Sequence, residues 1–434
     1  MSALPGMTPV IAGGKQLPVL SSQAGFNMVT GSTADIVRTG VGFSPKIIIF
    51  QGSGTDVSGG TANGGHIKPF FGIAVRRKDG TIDQWVVAGQ CEDAQGTSDT
   101  DYGKRSDACI MFITTAGALE GYASVASFDS DGFTLSVPDA VDDTYRITTL
   151  AIGGEGIEDC RAGEIDQKSG TGTQAYTGIG FKPSALFMAC AGGATTTGGA
   201  VVGTGLQMAF GFAHGPASTE QAYWYGQLLN GQSGVTVAPH CVCKTGQILG
   251  IITSASAVPT IELESFDTDG FTLDYTVSDT TIRKFFYAAI KGGYWDIGTV
   301  SWPTNTTPFD ITGIANKLGN AFTPGGSFFV TAAKSTESAG GIAGFQTDFQ
   351  LSFGIGESGT ARRNQGCRIR RTSNVYQCSR SNSGASMHQP LNTADSFEAQ
   401  CDTSAYGSGT ITVNMDTAGP NAYFGWFVAF GPAP

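Results

Sequence analysis

The sequence predicts an all-β protein made of three tandem β-sandwich (jelly-roll-like) domains related by an internal repeat of about 138 residues. Three observations carry that prediction. Gly42-Phe43-Ser44-Pro45, Phe128-Asp129-Ser130-Asp131-Gly132-Phe133-Thr134-Leu135 and Ala151-Ile152 return as Gly180-Phe181-Lys182-Pro183, Phe266-Asp267-Thr268-Asp269-Gly270-Phe271-Thr272-Leu273 and Ala289-Ile290, each 138 residues later. Gly accounts for 63 of 434 residues and charged residues for only 14%, against roughly a quarter in ordinary chains. Helix formers never persist over three turns, while Gly and Thr favour turns and strands. A period this long exceeds that of helical or propeller arrays and gives each copy enough chain for a core of its own.

Residues 1–24 read as an extended N-terminal arm, because Pro5, Pro9 and Pro18 interrupt any element. The first domain spans 25–154, the second 155–293 and the third, more divergent, 294–434, with paired glycines at Gly153-Gly154 and Gly292-Gly293 ending the first two. Each copy opens with a Pro-bearing turn, Ala321-Phe322-Thr323-Pro324 in the third. An apolar run follows: Ile47-Ile48-Ile49-Phe50, Ala185-Leu186-Phe187-Met188, and Phe328-Phe329-Val330. Runs without alternation fit strands buried on both faces. Gly/Ser/Thr-rich loops come next, at Gly52 to His66, Ala191 to Gly205 and Ala332 to Gly344. Strands with a central glycine then appear at Phe70–Ala74, Met208–Phe212 and Leu351–Ile355. A hairpin turning at Asp-x-Asp-Gly and a closing strand (Tyr145–Ile152, Phe285–Ile290, Tyr423–Phe430) finish the copy. In the third copy, Asp402 to Gly409 is expected to form a longer loop instead of the hairpin turn.

The net charge of −11 is uneven: residues 1–154 hold 15 acids and 10 bases, 155–293 hold 12 and 7, and 294–434 hold 9 and 8. Such acidity argues against nucleic acid as a partner. No apolar run reaches the ~18 residues of a membrane span. Met1 to Leu20 lacks the basic and apolar regions of a secretory signal. Nine cysteines that do not align between copies point to a reducing place of synthesis. One pair stands apart, since a turn at Thr372-Ser373 would set Cys367 opposite Cys378.

Catalytic groups, metal sites and cofactors are not expected. His66, His214, His240 and His388 occupy no equivalent positions. His240-Cys241-Val242-Cys243 offers three metal ligands in four residues, but on a strand His240 faces away from both thiols. Asp129, Asp131, Asp267 and Asp269 resemble the start of a calcium loop, yet strand residues Leu135 and Leu273 follow where further oxygens are needed, so a tight hairpin is favoured. Arg362, Arg363, Arg368, Arg370, Arg371 and Arg380 concentrate positive charge in an acidic protein, and the first five are the candidate contact with another subunit; a solvated edge that discourages aggregation is the plain alternative. Trp85, Tyr223, Trp224 and Tyr225 are candidate glycan contacts, weighed against ordinary core packing.

The Gly-Phe-x-Pro turn before an apolar strand, followed by Ser-Phe-Asp-x-Asp-Gly-Phe-Thr-Leu and a glycine-terminated strand, resembles the concanavalin-like β-sandwich repeats of structural and tail-appendage proteins of tailed bacteriophages. The likeness covers 42–50, 127–135 and 145–154, with counterparts at 180–188, 265–273 and 283–293. The resemblance implies a non-enzymatic virion protein, tail-associated or head-decorating, synthesised in the host cytoplasm. It implies other virion proteins, further copies of the chain (as a trimer) and host-surface glycans as partners. A free lectin and a hydrolase are the rival readings, the first needing exposed aromatics and the second paired carboxylates in a cleft.

Overall fold

The computed structural model describes residues 19–54, 60–63, 65–192, 199–234, 239–251, 259–278, 282–316, 318–332, 348–357, 362–372, 375–383, 399–419 and 422–432. These residues hold strands and no helix. Six antiparallel sheets group into three sandwiches, each a larger sheet facing a smaller one. In spatial order, the first larger sheet is β1 (Leu20–Met28), β11 (Tyr145–Gly153), β3 (Pro45–Gly52), β5 (Phe70–Arg76), β6 (Ile82–Cys91) and β7 (Thr100–Arg105). Its partner is β2 (Ile36–Arg38), β10 (Gly132–Asp139), β9 (Leu119–Asp129) and β8 (Ile110–Ile113).

The same order recurs in the second sandwich. Its larger sheet is β12 (Ile157–Asp166), β22 (Lys284–Gly292), β14 (Ala185–Ala191), β16 (Leu206–Ala213), β17 (Gln221–Leu228) and β18 (His240–Thr245). Facing it are β13 (Gly172–Thr177), β21 (Gly270–Val277), β20 (Thr260–Asp267) and β19 (Leu249–Gly250). The third runs β23 (Tyr294–Trp302), β31 (Tyr423–Gly431), β25 (Gly326–Thr331), β26 (Phe349–Glu357), β27 (Arg362–Thr372) and β28 (Val375–Ser383). Against it lie β24 (Phe309–Thr312), β30 (Thr410–Thr417) and β29 (Gln400–Gly407). The expectation of an extended arm over residues 1–24 is corrected at its C-terminal end. Leu20 to Ala24 already pair with β11, and residues 1–18 lie outside the described residues.

Each sandwich has its own core between its two sheets, and Phe133 and Phe271 are fully buried there. A larger core joins all three. The outer faces of the larger sheets turn towards one another, so β3 sends Ile47 and Ile49 into the common core and Ile48 and Phe50 into its own. At the centre, register-equivalent phenylalanines of the central-glycine strands meet: Phe71 stacks on Phe210 at 4.6 Å, and Phe353 lies 5.7 and 6.1 Å from them. The strands carrying them also need a residue without Cβ. A methyl at Gly72 or Gly211 would overlap the carbonyl oxygen of Cys109 or Ile248, just ahead of β8 or β19 in the smaller sheet.

The sandwiches are also sewn together by strands drawn from the Gly/Ser/Thr-rich loops. Within the first loop, β4 (Gly60–Asn63) pairs with β28 of the third sandwich. From the second loop, β15 (Val201–Thr204) extends the first sandwich's sheet beyond β7. Most of the third loop, 333–347, lies outside the described residues.

The recurring Phe-Asp-x-Asp-Gly-Phe-Thr sequence is a two-residue hairpin whose carboxylates are engaged by the protein's own donors. Asp129 accepts hydrogen bonds from Ser127 Oγ at 2.7 Å and Thr134 Oγ1 at 2.9 Å. Asp131 accepts from the backbone N–H groups of Gly40 at 3.0 Å and Gly42 at 2.5 Å, fastening the hairpin to the turn that opens the copy. Asp269 holds Gly178 and Gly180 in the same way. This explains why the two motifs travel together in the repeat. In the third copy the expected longer loop is absent: Gly407 pairs with Thr410 across an equally short turn. There the backbone substitutes for the missing carboxylate, with the Gly409 N–H donating to Phe322 O at 2.9 Å. Asp131→Ala should lower stability by about 1–2 kcal/mol, because two charge-assisted bonds at an exposed site are lost. Denaturant melts of the variant check this, and an unchanged midpoint would remove the carboxylate from its fastening role.

Candidate functional site at the junctions between sandwiches

The residues singled out in the sequence fall into two groups. Trp85 on β6 and Trp224 on β17 lie in the common core, while Tyr223 and Tyr225 point to the second sandwich's own core, all four buried. This corrects the glycan-contact expectation. Both faces of these strands are covered, so neither face of the Tyr223-Trp224-Tyr225 run meets solvent. The indoles instead tie sandwiches together: Trp85 Nε1 donates to Tyr287 O at 2.8 Å and Trp224 Nε1 to Gln350 O at 3.0 Å.

Within the arginine group, Arg368 is buried and pairs with Asp348, and Arg362 meets Asp402 at 2.6 Å. As contacts for another subunit these two are corrected, since their carboxylates come from the same chain. Arg370 donates to Gln377 Oε1 at 2.8 Å, and Arg371 is exposed. Nearby, Arg380 donates to His66 O of the first sandwich at 2.8 Å. Arg363, half-buried, faces the first sandwich beside Gly25.

All nine cysteines are buried free thiols. Thr372 pairs with Val375, so Cys367 faces Arg380 while Cys378 faces Ile369, and the facing of Cys367 and Cys378 drawn from a Thr372-Ser373 turn is corrected; both are free thiols. Cys241 and Cys243 share the common core while Val242 turns to the other face, which leaves His240 away from both. Burial pushes the Cys190 thiol up to about 11 and raises Cys109, Cys160 and Cys367 further. A thiol-reactive disulfide reagent should therefore leave the folded protein unlabelled and modify it only after denaturation. Rapid labelling of the native chain would contradict this burial.

The open space with converging charge lies where the first sandwich meets the second. Two adjoining recesses of about 360 Å³ each share Arg77, Lys78 and Asp79. Arg161 and Asp159 of β12 line one, and Lys46, Arg76 and Glu158 line the other. Their walls are set by bonds between the sandwiches. Asp83 chelates Arg77 at 2.6 and 2.7 Å and accepts the Ala162 N–H at 3.0 Å, while the Lys78 N–H reaches Asp159 at 2.8 Å. Burial lowers the Lys46 ammonium, whose Nζ donates to Ile157 O, and the N–H and hydroxyl of Thr81 hold Asp79 below the usual carboxylate range.

The corresponding junction between the second and third sandwiches is different. Asp296 takes the register position of Arg161, and Ser184 that of Lys46. Asp296 lies 3.6 Å from His214 and is pushed up to about 6 by burial. The basic lining of the first junction is thus absent from the second and not demanded by the fold. Chemically it suits retention of a polar or anionic group. Among the described residues no group of three or more His, Cys, Asp or Glu side chains is arranged to hold a metal. Sequence reasoning missed these recesses, because Lys46, Arg76–Lys78 and Arg161 converge only when two copies pack.

No protein-family profile and no curated protein matches the chain. Among solved structures, CdiB from Acinetobacter baumannii aligns at 8% identity over 95% of this chain and 66% of its own, with a TM-score of 0.12. A score that low carries no likeness of fold.

Proposed function

We propose that the chain is a non-enzymatic structural and adhesive component of a bacteriophage particle, tail-associated or decorating the head. The observation that carries the reading is the closed threefold arrangement around Phe71, Phe210 and Phe353, locked by strands β4 and β15 that cross between sandwiches. Such a body is a rigid block with related outward faces, suited to repeated contacts on a symmetric particle. The sequence resemblance to phage sandwich repeats points the same way. In this reading the chain is made in the host cytoplasm and joins the virion through other virion proteins and further copies of itself, a trimer being the expected number. The self-contact narrows to Arg370 and Arg371, with Arg371 exposed.

A lectin-like module recognising host-surface glycans is the second reading. It is favoured by the charged recesses between the first two sandwiches rather than by aromatic rings. Mass spectrometry and electron microscopy of purified particles test the first reading, which fails if the chain is absent from them. Glycan-array binding by the isolated chain, without incorporation into particles, would favour the second. Native mass measurement of the chain and of Arg371→Ser tests self-association.

A further inference from the structure

We propose that Arg146 and Arg363, at the junction of the first and third sandwiches, cradle a multi-oxygen anion, a phosphate or carboxylate group carried by a ligand, with Arg38 adding positive charge. A point one bond from the Gly25 Cα lies 2.5 Å from Arg146 Nη2 and 2.8 Å from Arg363 Nη1, so two guanidinium groups converge beside this bare stretch of β1. Arg38 adds a third positive charge from the neighbouring face of the strand, above the Phe26 ring and 5.5 Å from its centroid. All three are partly buried. Burial first, and then the charges of Arg146 and Arg38, lower the Arg363 guanidinium, and Arg146 is lowered by burial and by Arg38. Among the described residues no carboxylate lies within 4.0 Å of any of them. Three half-desolvated like charges repel, and an anion bound in the forks of Arg146 and Arg363 relieves that repulsion with charge-assisted bonds.

The second sandwich supplies an internal control. Asn27 pairs with Arg146 on β1 and β11 at the position where Asp166 pairs with Lys284 on β12 and β22. In the second sandwich that position holds an ion pair of 2.6 Å. In the first, the carboxylate is replaced by an amide, with Arg146 Nη1 donating to Asn27 Oδ1 at 3.2 Å. The fold therefore accepts a carboxylate here, and this copy leaves the negative charge to a ligand. The assignment depends on the adhesive reading only for the source of the anion.

Calorimetric titration of the full chain with inorganic phosphate and with glucuronate tests it. Saturable binding of at least one probe is expected, weakened about tenfold or more in Arg146→Gln and Arg363→Gln, the loss of one charge-assisted bond. Asn27→Asp is the decisive variant, because it supplies the missing carboxylate without removing a cation. It should weaken the probe equally while raising the melting temperature in anion-free buffer. No saturable binding of either probe, or binding undiminished in Asn27→Asp and in the arginine variants that fold, overturns the assignment. A phosphate-bearing oligosaccharide that competes with phosphate identifies a glycan as the source; binding of the free ion alone keeps the site and rejects that source. Failure of the chain to appear in particles would refute the virion reading and leave these titrations untouched.

Discussion

Phe210→Ala will destabilise the whole molecule by about 3–5 kcal/mol, more than truncation of a phenylalanine at a sandwich rim, because its ring serves all three sandwiches at once. Phe210 is 2% exposed, stacks on Phe71 at 4.6 Å and on Trp224 at 5.4 Å, and meets Phe353 and Trp426 edgewise or tilted at 6.1 and 6.4 Å. Those neighbours belong to the first, second and third sandwiches, so a cavity there has walls on three sides that cannot collapse together. In a chain of 434 residues melting as one unit, the loss corresponds to a drop of roughly 4 °C, since the unfolding entropy scales with length. Scanning calorimetry should show one transition in the native chain and a lowered one in the variant. A split melt in which only the second sandwich moves would mean that the shared core couples the units weakly, and an unchanged melt would deny the axis its role.

The central core also marks the limit of what the sequence discloses. Repetition of Phe-Asp-x-Asp-Gly-Phe at a fixed interval reveals the unit, its hairpin and the burial of Phe133 and Phe271, because these are local consequences of pattern. Repetition does not reveal how units pack. The one local hint is the unalternating Ile47-Ile48-Ile49-Phe50, which demands an apolar neighbour on both faces; the smaller sheet covers one, and the other two sandwiches cover the other. The same ignorance of packing misled the aromatic assignment. Trp85 and Trp224 look like candidates for a sugar platform in a single sandwich, and become staples once three sandwiches close around them. For the arginines, the sequence isolates a basic stretch, but residue types alone do not disclose that Arg362 and Arg368 meet carboxylates of their own copy while Arg363 lies beside the first. Register errors are subtler. A shift of two residues between β27 and β28 separates Cys367 from Cys378, and hairpin register depends on turn geometry that residue types alone underdetermine. The anion cradle of Arg146 and Arg363 draws on strands from two copies, and is invisible until β1 and β27 are adjacent.

Glu120→Gln should cost about 3–5 kcal/mol, whereas replacing the pair to which it belongs should cost far less. Inside the first sandwich the Glu120 carboxylate, with its side chain fully shielded, is held by Lys68 Nζ and by Tyr145 OH at 2.6 Å. Lys68 also donates to Tyr145 OH at 2.7 Å and lies over that ring, 5.1 Å from its centroid. Burial, and then the bond to Glu120, keep the Tyr145 phenol neutral well above its ordinary range, so it acts as a fixed donor to the carboxylate. Neutralising Glu120 alone leaves an ammonium 9% exposed, with the amide of the variant in place of a full charge. The ammonium then stays buried beside a group that no longer offsets its charge. Lys68→Met combined with Glu120→Leu removes both charges and keeps comparable volume. It should return most of the stability, or exceed it, since burying the ions carried its own desolvation cost. Chemical denaturation of both variants reads the two outcomes directly, and near-additivity of the single changes in a double-mutant cycle would show that the pair is not a coupled unit. Tyr145→Phe isolates the third member, with an expected loss of about 1–2 kcal/mol for one donor to a buried carboxylate. Because Glu120 also accepts the Asp142 N–H at 3.3 Å, the strand end leading into β11 should loosen in Glu120→Gln and remain protected from amide exchange in Tyr145→Phe.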